Sequence, residues 1–189
     1  MSYLTREIDN FLSQEELAEV WSAIDSQPRW RWFKFAGGSM FWSYGVFVSD
    51  KFSLTKGKWQ HEPQWEEGVS PIWNKIYEKV KALAGPKFVM WRYIINGQTW
   101  GQEGSIHSDW PGTETNSETF ILYINEFWNS DWGGDTVFYE VGNDHIERGR
   151  VSVEPGKLIS YDSRILHKGS SPTEKNILRV TLAIQGKYE

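Results

Sequence analysis

The sequence predicts a mainly β protein supported by two helices. Two amphipathic helical patterns lie before Pro86, whereas almost everything after it consists of short runs rich in β-branched and aromatic residues. Aromatic residues make up 16% of the chain, which favours strands and a core filled with rings. Glycine, asparagine and proline punctuate the runs, as is typical of an antiparallel sandwich or barrel with helices packed on one face.

Both helices have recognisable ends. Ser13 and Glu16 form a capping box in front of the first helix, predicted over residues 14–25. The second helix is predicted over residues 71–84, because proline suits the first helical position and Gly85-Pro86 ends the pattern. Each helix carries one apolar stripe at helical spacing, formed by Leu17, Val20, Trp21 and Ile24 in the first and by Ile72, Ile76, Val80 and Leu83 in the second.

The strand prediction places one run between the helices and five after them. These runs are Phe41–Val48, Phe88–Ile95, Thr119–Asn125, Thr136–Glu140, Lys157–Asp162 and Ile177–Ile184. The stretch Ser49–Gly68 has no clean period, and we expect a long loop there that is suited to act as a lid.

Composition excludes several function classes. The chain has no cysteine, which rules out disulfide scaffolds, thiol nucleophiles, zinc–thiolate sites and iron–sulfur clusters. A formal net charge of −5 does not suit a protein that binds nucleic acid through its phosphates. No apolar leader and no run of about 18 apolar residues is visible. We therefore expect one cytoplasmic domain over residues 1–189, without a membrane partner, as a monomer or weak homodimer.

The histidines suggest a metal site. His107 and Asp109 are one residue apart, so on a strand both side chains would point to the same face. His167 follows between the last two predicted strands. Two imidazoles and one carboxylate form a facial triad that leaves open positions on Fe(II), although a hydrogen bond at a strand end would also explain the first pair. His61 and His145 lie in polar stretches and are interpreted as solvated loop residues.

A cation completes the pattern. Arg179 lies on the last predicted strand, where Arg179, Thr181 and Ala183 share one face. A guanidinium in a β core is costly unless it meets a carboxylate, which arginine binds in a bidentate manner. Tyr123, on the same face as Ile121, could add its hydroxyl. These residues favour a pocket for a dicarboxylate, chelating the metal at one end and held by Arg179 at the other.

At this point the sequence resembles the 2-oxoglutarate- and Fe(II)-dependent dioxygenases of the prolyl 4-hydroxylase-like branch. The resemblance extends over nearly the whole chain and implies a double-stranded β-helix, which is a jelly-roll, cupin-like fold. It is carried by His107-Ser108-Asp109, Trp132–Phe138, His167 and Arg179, with Ile8–Ser13 before the acidic helix and Leu122–Asn125 in support.

The resemblance also implies an activity and roles for residues. The expected reaction hydroxylates a C–H bond with release of succinate and CO₂, on a prolyl or other residue of a peptide or protein. It would use Fe(II), 2-oxoglutarate and O₂, with ascorbate as a candidate reductant. The implied residues are His107, Asp109 and His167 for the metal, Arg179, Tyr123, Tyr93 and Thr181 for 2-oxoglutarate, and Trp110 and Arg164 for the substrate.

Two departures from the family pattern are visible. The family's Tyr-x-x-Gly is one residue longer here, as Tyr93-Ile94-Ile95-Asn96-Gly97, and its Gly-Gly-Glu-Thr becomes Gly133-Gly134-Asp135-Thr136. Asp109 is intact, which argues against a halogenase.

Other functions remain open. The same domain could hydroxylate a free small molecule. It could also be a metal-binding β-barrel without turnover that serves as an interaction module, or a zinc hydrolase using the same triad. A nucleic-acid demethylase is disfavoured, since only Arg179-Val180-Thr181 matches the longer arginine motif of those relatives.

Overall fold

The computed structural model describes residues 3–27, 29–34, 40–46, 65–110, 116–140 and 142–189. Within these ranges the chain forms two α-helices and ten strands, and the strands pair antiparallel in two sheets. This confirms the predicted mainly β architecture with supporting helices.

Both helices form where they are predicted. Ser13 Oγ accepts the Glu16 N–H at 3.2 Å, and the Glu16 carboxylate accepts the Ser13 N–H at 3.0 Å, so the capping box is confirmed. Pro71 caps the second helix instead of being its first residue, a shift of one position. The helices are α1 (Gln14–Ser26) and α2 (Ile72–Ala84).

Ten strands build a large and a small sheet. They are β1 (Arg6–Ile8), β2 (Trp30–Lys34), β3 (Met40–Tyr44), β4 (Phe88–Gln98), β5 (Ser117–Tyr123), β6 (Thr136–Glu140), β7 (Asn143–Val151), β8 (Leu158–Asp162), β9 (His167–Gly169) and β10 (Arg179–Tyr188). The seven-stranded sheet has the order β1-β8-β5-β10-β4-β3-β2, and the three-stranded sheet has the order β7-β6-β9.

Most differences from the predicted strands have a local cause. The strands β1 and β9 have three residues each and form by pairing with β8 and β6, so no local pattern announces them. The strand β7 is rich in charged residues and shows no apolar alternation. His145 lies in β7, so its assignment to a loop is wrong. The prediction over Phe41–Val48 is observed as β3, and residues 47–48 lie outside the described ranges.

The two faces of the large sheet pack against different layers. Along β10, Leu182 and Ile184 join a core cluster with the apolar stripes of α1 and α2. Arg179, Thr181 and Ala183 alternate with them and are buried on the opposite face, toward the small sheet, as predicted. The site residues therefore lie between the two sheets.

Part of the predicted lid can be located. Residues 49–64 of the stretch Ser49–Gly68, including His61, lie outside the described ranges, so the lid remains a prediction. Trp65, near its end, packs edge-on against Tyr93 with ring centroids 5.0 Å apart and donates its indole N–H to Asn74 at 3.0 Å. Among the described residues, no helix is long and apolar enough to cross a membrane.

Candidate metal centre and arginine site

The three predicted metal ligands meet at one point between the sheets. His107 Nε2 lies 3.5 Å from Asp109 Oδ1, and His167 Nε2 lies 3.5 Å from Asp109 Oδ2. One ligand atom from each residue lies within 4.8 Å of the others. Two imidazole nitrogens and one carboxylate at this spacing fit a single divalent cation and leave coordination positions open.

Backbone pairing brings these residues together. His107 and His167 form an isolated antiparallel bridge, exchanging N–H···O bonds of 3.0 and 2.9 Å. The N–H of Asp109 donates to the carbonyl oxygen of Ser163 at 2.9 Å. The His107–Asp109 segment is therefore not a regular strand, as the sequence suggested. It is an extended segment fixed at both ligands by the chain around His167.

Both histidines are held in the tautomer that suits a metal. The Nδ1 atom of His107 lies 2.9 Å from the carbonyl oxygen of Ser105, and that of His167 lies 3.0 Å from the carbonyl oxygen of Ile165. Because a carbonyl oxygen only accepts, each Nδ1 carries the proton and donates it. The Nε2 lone pairs therefore point to the metal position.

Hydroxyl groups orient the carboxylate of Asp109. Its Oδ2 atom accepts a 2.8 Å hydrogen bond from Thr119 and lies 3.2 Å from the Tyr161 hydroxyl, whose single proton can be donated to Oδ2 or to His167 Nε2 at 3.0 Å. Burial raises the pKa of Asp109, but the nearby His167 and His107 outweigh it and hold the pKa well below its usual range. The carboxylate is therefore ionised and ready to bind a cation.

The two histidines differ in how readily they take a proton. Burial lowers the pKa of His167, and the charge of Asp109, which raises it, offsets this only in part. His167 is therefore neutral near pH 7. Burial also lowers the pKa of His107, but the hydrogen bond and charge of Asp109 outweigh it, and the pKa is raised. Metal binding must therefore displace a proton more often from His107 than from His167.

Arg179 is buried and anchored by neutral acceptors. Its Nε donates to the carbonyl oxygen of Gly134 at 2.6 Å, its Nη1 to Gln98 Oε1 at 2.8 Å, and its Nη2 to Thr136 Oγ1 at 3.0 Å. Burial lowers its pKa from the ordinary value. Among the described residues no carboxylate lies within 4.0 Å of the guanidinium. Of the five N–H donors of an arginine, two remain after these three bonds, and one of the two makes only a long contact of 3.5 Å with Thr181 Oγ1, so both can turn to a bound carboxylate.

The glycine turn before β6 explains how the chain approaches Arg179. Gly133 and Gly134 have φ of 62° and 83°, a conformation that favours glycine. A Cβ atom on Gly134 would lie 3.2 Å from Arg179 Cδ and 3.0 Å from the ring of Trp128. The sequence analysis interpreted this pair as a tight turn, and the turn also aims a carbonyl at Arg179.

Tyr123 and Thr181 lie beside the guanidinium, on the face that the sequence predicts. The two residues are cross-strand partners between β5 and β10. The ring of Tyr123 is 5.7 Å from the Arg179 guanidinium carbon, and its hydroxyl donates to Thr136 at 2.8 Å. Burial raises the pKa of Tyr123 to about 12, so the hydroxyl stays protonated and can donate.

The expectation for Tyr93 does not fit this arrangement and needs correction. Tyr93 pairs with Ile184, packs in the core that faces the helices, and donates its hydroxyl to the Trp73 carbonyl oxygen at 3.1 Å. The extra residue between Tyr93 and Gly97 is the physical reason. Successive strand residues alternate between faces, so one added residue turns the tyrosine away from Arg179.

The two candidate substrate residues differ in their contacts. Trp110 follows Asp109 directly, and its ring packs against Trp91 with centroids 4.7 Å apart. Arg164 is paired with Asp162, with Nε–Oδ1 and Nη2–Oδ2 distances of 2.9 and 2.5 Å. A substrate role for either stays a prediction.

Several site residues were missed by the sequence analysis. They share no motif, because they reach the site through strand register: Thr119 and Tyr161 at Asp109, Gln98 and Thr136 at Arg179, and Arg92 near the metal position. The only signal available in the sequence was strand alternation. Thr119 lies four residues before Tyr123 in the same predicted strand, so the two side chains are expected on the same face.

Comparison with known proteins gives the fold a context. No protein-family model matches the sequence, and no curated protein sequence matches it. Solved structures do match. A prolyl-4-hydroxylase from Pseudomonas putida superposes with a TM-score of 0.65 at 13% identity, covering 97% of this chain and 92% of that one. A prolyl hydroxylase from Trichoplax adhaerens, in complex with a peptide fragment of the hypoxia inducible factor oxygen degradation domain, gives 0.62 at 16% identity, covering 97% and 83%.

The structural similarity extends beyond prolyl hydroxylases. The epimerase SnoN from nogalamycin biosynthesis, in complex with Fe³⁺, α-ketoglutarate and nogalamycin RO, superposes with a TM-score of 0.58 at 12% identity, covering 96% of this chain and 78% of that one. An oxidoreductase of the 2-oxoglutarate/Fe(II) oxygenase family from Burkholderia pseudomallei also matches. At these identities the comparisons show the jelly-roll fold of such oxygenases, as predicted.

Proposed function

We propose that this chain, which has the fold of the 2-oxoglutarate- and Fe(II)-dependent oxygenases, is a dioxygenase that hydroxylates a C–H bond and releases succinate and CO₂. One observation carries the proposal. A three-donor metal site and a buried arginine, held by neutral partners among the residues that the structure describes, lie on the same side of one sheet. With Fe(II) bound, O₂ and the 2-oxo acid would supply the oxidising power for this reaction.

The metal ligands have distinct tasks in this proposal. His107 and His167 would hold Fe(II) through Nε2, and Asp109 would provide the charged ligand. Thr119 and Tyr161 restrain Asp109 by hydrogen bonds to Oδ2. The restraint limits rotation of the carboxylate and keeps the remaining coordination positions available for the cosubstrate and O₂.

The cosubstrate would bind between the metal and Arg179. Its distal carboxylate would accept the N–H donors of Arg179 that point away from its protein acceptors, and the Tyr123 hydroxyl would become a further donor by turning from Thr136 Oγ1 to the carboxylate. Thr181 lies beside both residues, with Oγ1 3.5 Å from Arg179 Nη1. Burial strengthens these hydrogen bonds, because no water competes for the donors.

For the primary substrate we propose a prolyl or other residue of a peptide or protein. The similarity to a prolyl hydroxylase that binds a peptide supports this class. Trp110 and Arg164 are proposed as substrate contacts. A free small molecule is the second candidate, supported by the similarity to an epimerase in complex with nogalamycin RO.

Two other classes are less consistent with the site. A module without turnover would have no need for a complete donor set and a buried carboxylate clamp. A zinc hydrolase would leave Arg179 without a ligand to bind.

Succinate release tests the proposal. The protein is incubated with Fe(II), 2-oxoglutarate and O₂, alone and with proline-containing peptides, and succinate is measured by NMR. We expect Fe(II)-dependent succinate that disappears in His167→Ala and persists in Arg148→Ala, which alters an exposed arginine of β7. Absence of succinate from folded, metal-loaded protein would contradict the proposal and favour the binding module. Hydrolysis by the zinc-loaded protein would favour the hydrolase.

A further inference from the structure

A β-bulge in β4 turns an additional side chain toward the metal. Gln185 of β10 pairs with Arg92, but the next residue, Gly186, pairs with Met90, so Trp91 is the extra residue. Met90 packs in the helix-facing core, whereas Trp91 donates its indole N–H to Gln185 Oε1 at 3.3 Å. Bulges of this kind re-aim side chains next to active sites. Here the bulge adds Trp91 to the face that carries Arg92.

Strand register places this group beside the metal ligands. Tyr161, Thr119, Gln185 and Arg92 are neighbours in one row across β8, β5, β10 and β4. The first two hold Asp109 through its Oδ2 atom. Adjacent strands are about 4.8 Å apart, so the backbone of Arg92 lies roughly 10 Å from that of Thr119. The long side chain of arginine can span most of this distance.

The charge of Arg92 acts on the metal centre. Burial lowers the pKa of Arg92, and the carboxylate of Asp109 opposes that change. Because burial removes water from the guanidinium, an anionic group on a bound molecule is favoured beside it.

Two indole rings lie at the bulge next to Arg92. Trp91 is 4% exposed, and its ring packs on Trp110 at a centroid distance of 4.7 Å. The side-chain oxygen of Gln185 accepts the hydrogen bond from Trp91. The NH₂ group of the same amide therefore points away from Trp91 and can donate to another group. A planar guanidinium and an amide donor next to indole rings suit a ligand that carries a carboxylate on an apolar carbon skeleton.

We propose that Arg92, Gln185 and the Trp91–Trp110 pair form the recognition subsite for the primary substrate, and that this subsite binds a substrate carboxylate with its apolar carbon body against the indoles. The inference rests on the proposed oxygenase function and deepens it. In the pairing of β4 with β10, Arg179 lies opposite Gln98, and Arg92 lies opposite Gln185. Since Arg92 and Gln98 are six residues apart along β4, the two arginines lie at opposite ends of one face of the sheet. One end takes the cosubstrate and the other takes the substrate.

The carboxylate has two possible sources, a free acid or an acidic side chain of a peptide. Calorimetry on the anaerobic protein loaded with Fe(II) and 2-oxoglutarate distinguishes them. The small probes are phenylacetate and its neutral amide, phenylacetamide. The peptide probes are blocked Ala-Glu-Pro-Ala and blocked Ala-Gln-Pro-Ala. Each pair differs only in the charge of one group.

The subsite predicts charge discrimination that depends on Arg92. At least one acidic probe should bind roughly tenfold more tightly than its neutral partner. The preference should vanish in Arg92→Gln, persist in part in Arg92→Lys, and remain unchanged in Arg148→Gln, which alters an exposed arginine of β7. The affinity for 2-oxoglutarate should stay within about twofold of wild type in Arg92→Gln, which also shows that the variant folds.

The outcomes that overturn the inference differ from the one that overturns the proposed function. Equal binding of acidic and neutral probes, or no binding of either acid by protein that binds 2-oxoglutarate, would refute the subsite. A loss of 2-oxoglutarate affinity in Arg92→Gln would place Arg92 in the cosubstrate site instead. If wild-type protein fails to bind 2-oxoglutarate at all, the proposed function itself fails.

Discussion

Replacing Arg179 with lysine separates the charge of this residue from its hydrogen-bonding geometry. The guanidinium is fixed by three acceptors, the carbonyl oxygen of Gly134, Gln98 Oε1 and Thr136 Oγ1, at 2.6, 2.8 and 3.0 Å. Lysine keeps the positive charge but has a single nitrogen. It cannot bind these acceptors and also offer two parallel N–H groups to a carboxylate.

The expected magnitude follows from the bonds lost. A hydrogen bond to a charged group contributes about 1.5–3 kcal/mol, and Arg179→Lys removes one of the two proposed bonds to the distal carboxylate. The affinity for 2-oxoglutarate should therefore fall roughly 10- to 150-fold. The buried carbonyl of Gly134 also loses its donor, which should reduce the free energy of unfolding by about 1–3 kcal/mol.

Calorimetry with 2-oxoglutarate and denaturant unfolding measure both effects. Arg150→Lys is the matched control, because Arg150 is exposed and pairs with Glu147 at the surface. Cosubstrate affinity that is equal in Arg179→Lys and Arg150→Lys would refute the assignment of Arg179.

Three further predictions concern the supports of the site. Gly134→Ala and Gly142→Ala impose the same strain at φ of 83° and 82°, but only at Gly134 would the methyl group crowd Arg179. Denaturation should show a loss of about 1 kcal/mol for Gly142→Ala and a larger loss for Gly134→Ala, and only Gly134→Ala should weaken 2-oxoglutarate binding; equal binding would contradict the role of the turn. Thr119→Val should weaken Fe(II) binding roughly tenfold in chelator competition, and wild-type affinity would show that its hydroxyl is dispensable. Because the folded protein lowers the pKa of Asp109, the ionised carboxylate stabilises the metal-free fold above its ordinary pKa of 3.8, and this stability is lost as the pH falls below that value. As the pH is lowered, the free energy of unfolding should therefore fall more steeply for wild type than for Asp109→Asn. An equal pH dependence in the two proteins would contradict this prediction.

The sequence predicts the residues that carry chemistry better than the residues that support them. His107, Asp109, His167 and Arg179 have side chains with few alternative uses in a β core, so their types and order indicate a site. The structure brings the first three within ligand distance of one another. Their identity could be predicted without knowing which strands pair.

The supporting residues depend on long-range register, which no local pattern contains. Thr119 and Tyr161 reach Asp109 only because β5 pairs with β8 in a particular register. The three-residue strand β9 exists only through its pairing with β6. Tyr93 shows the opposite error, since a single added residue reverses its face. Trp91 and Arg92 share the metal side through a bulge, which alternation cannot reveal.

The most direct test of the proposed function is an anaerobic titration of the protein with Fe(II) and 2-oxoglutarate, followed by visible absorption. We expect a metal-to-ligand charge-transfer band that requires both additions, vanishes in His167→Ala and weakens in Arg179→Ala. A folded protein that binds Fe(II) but gives no band with 2-oxoglutarate would contradict the oxygenase function.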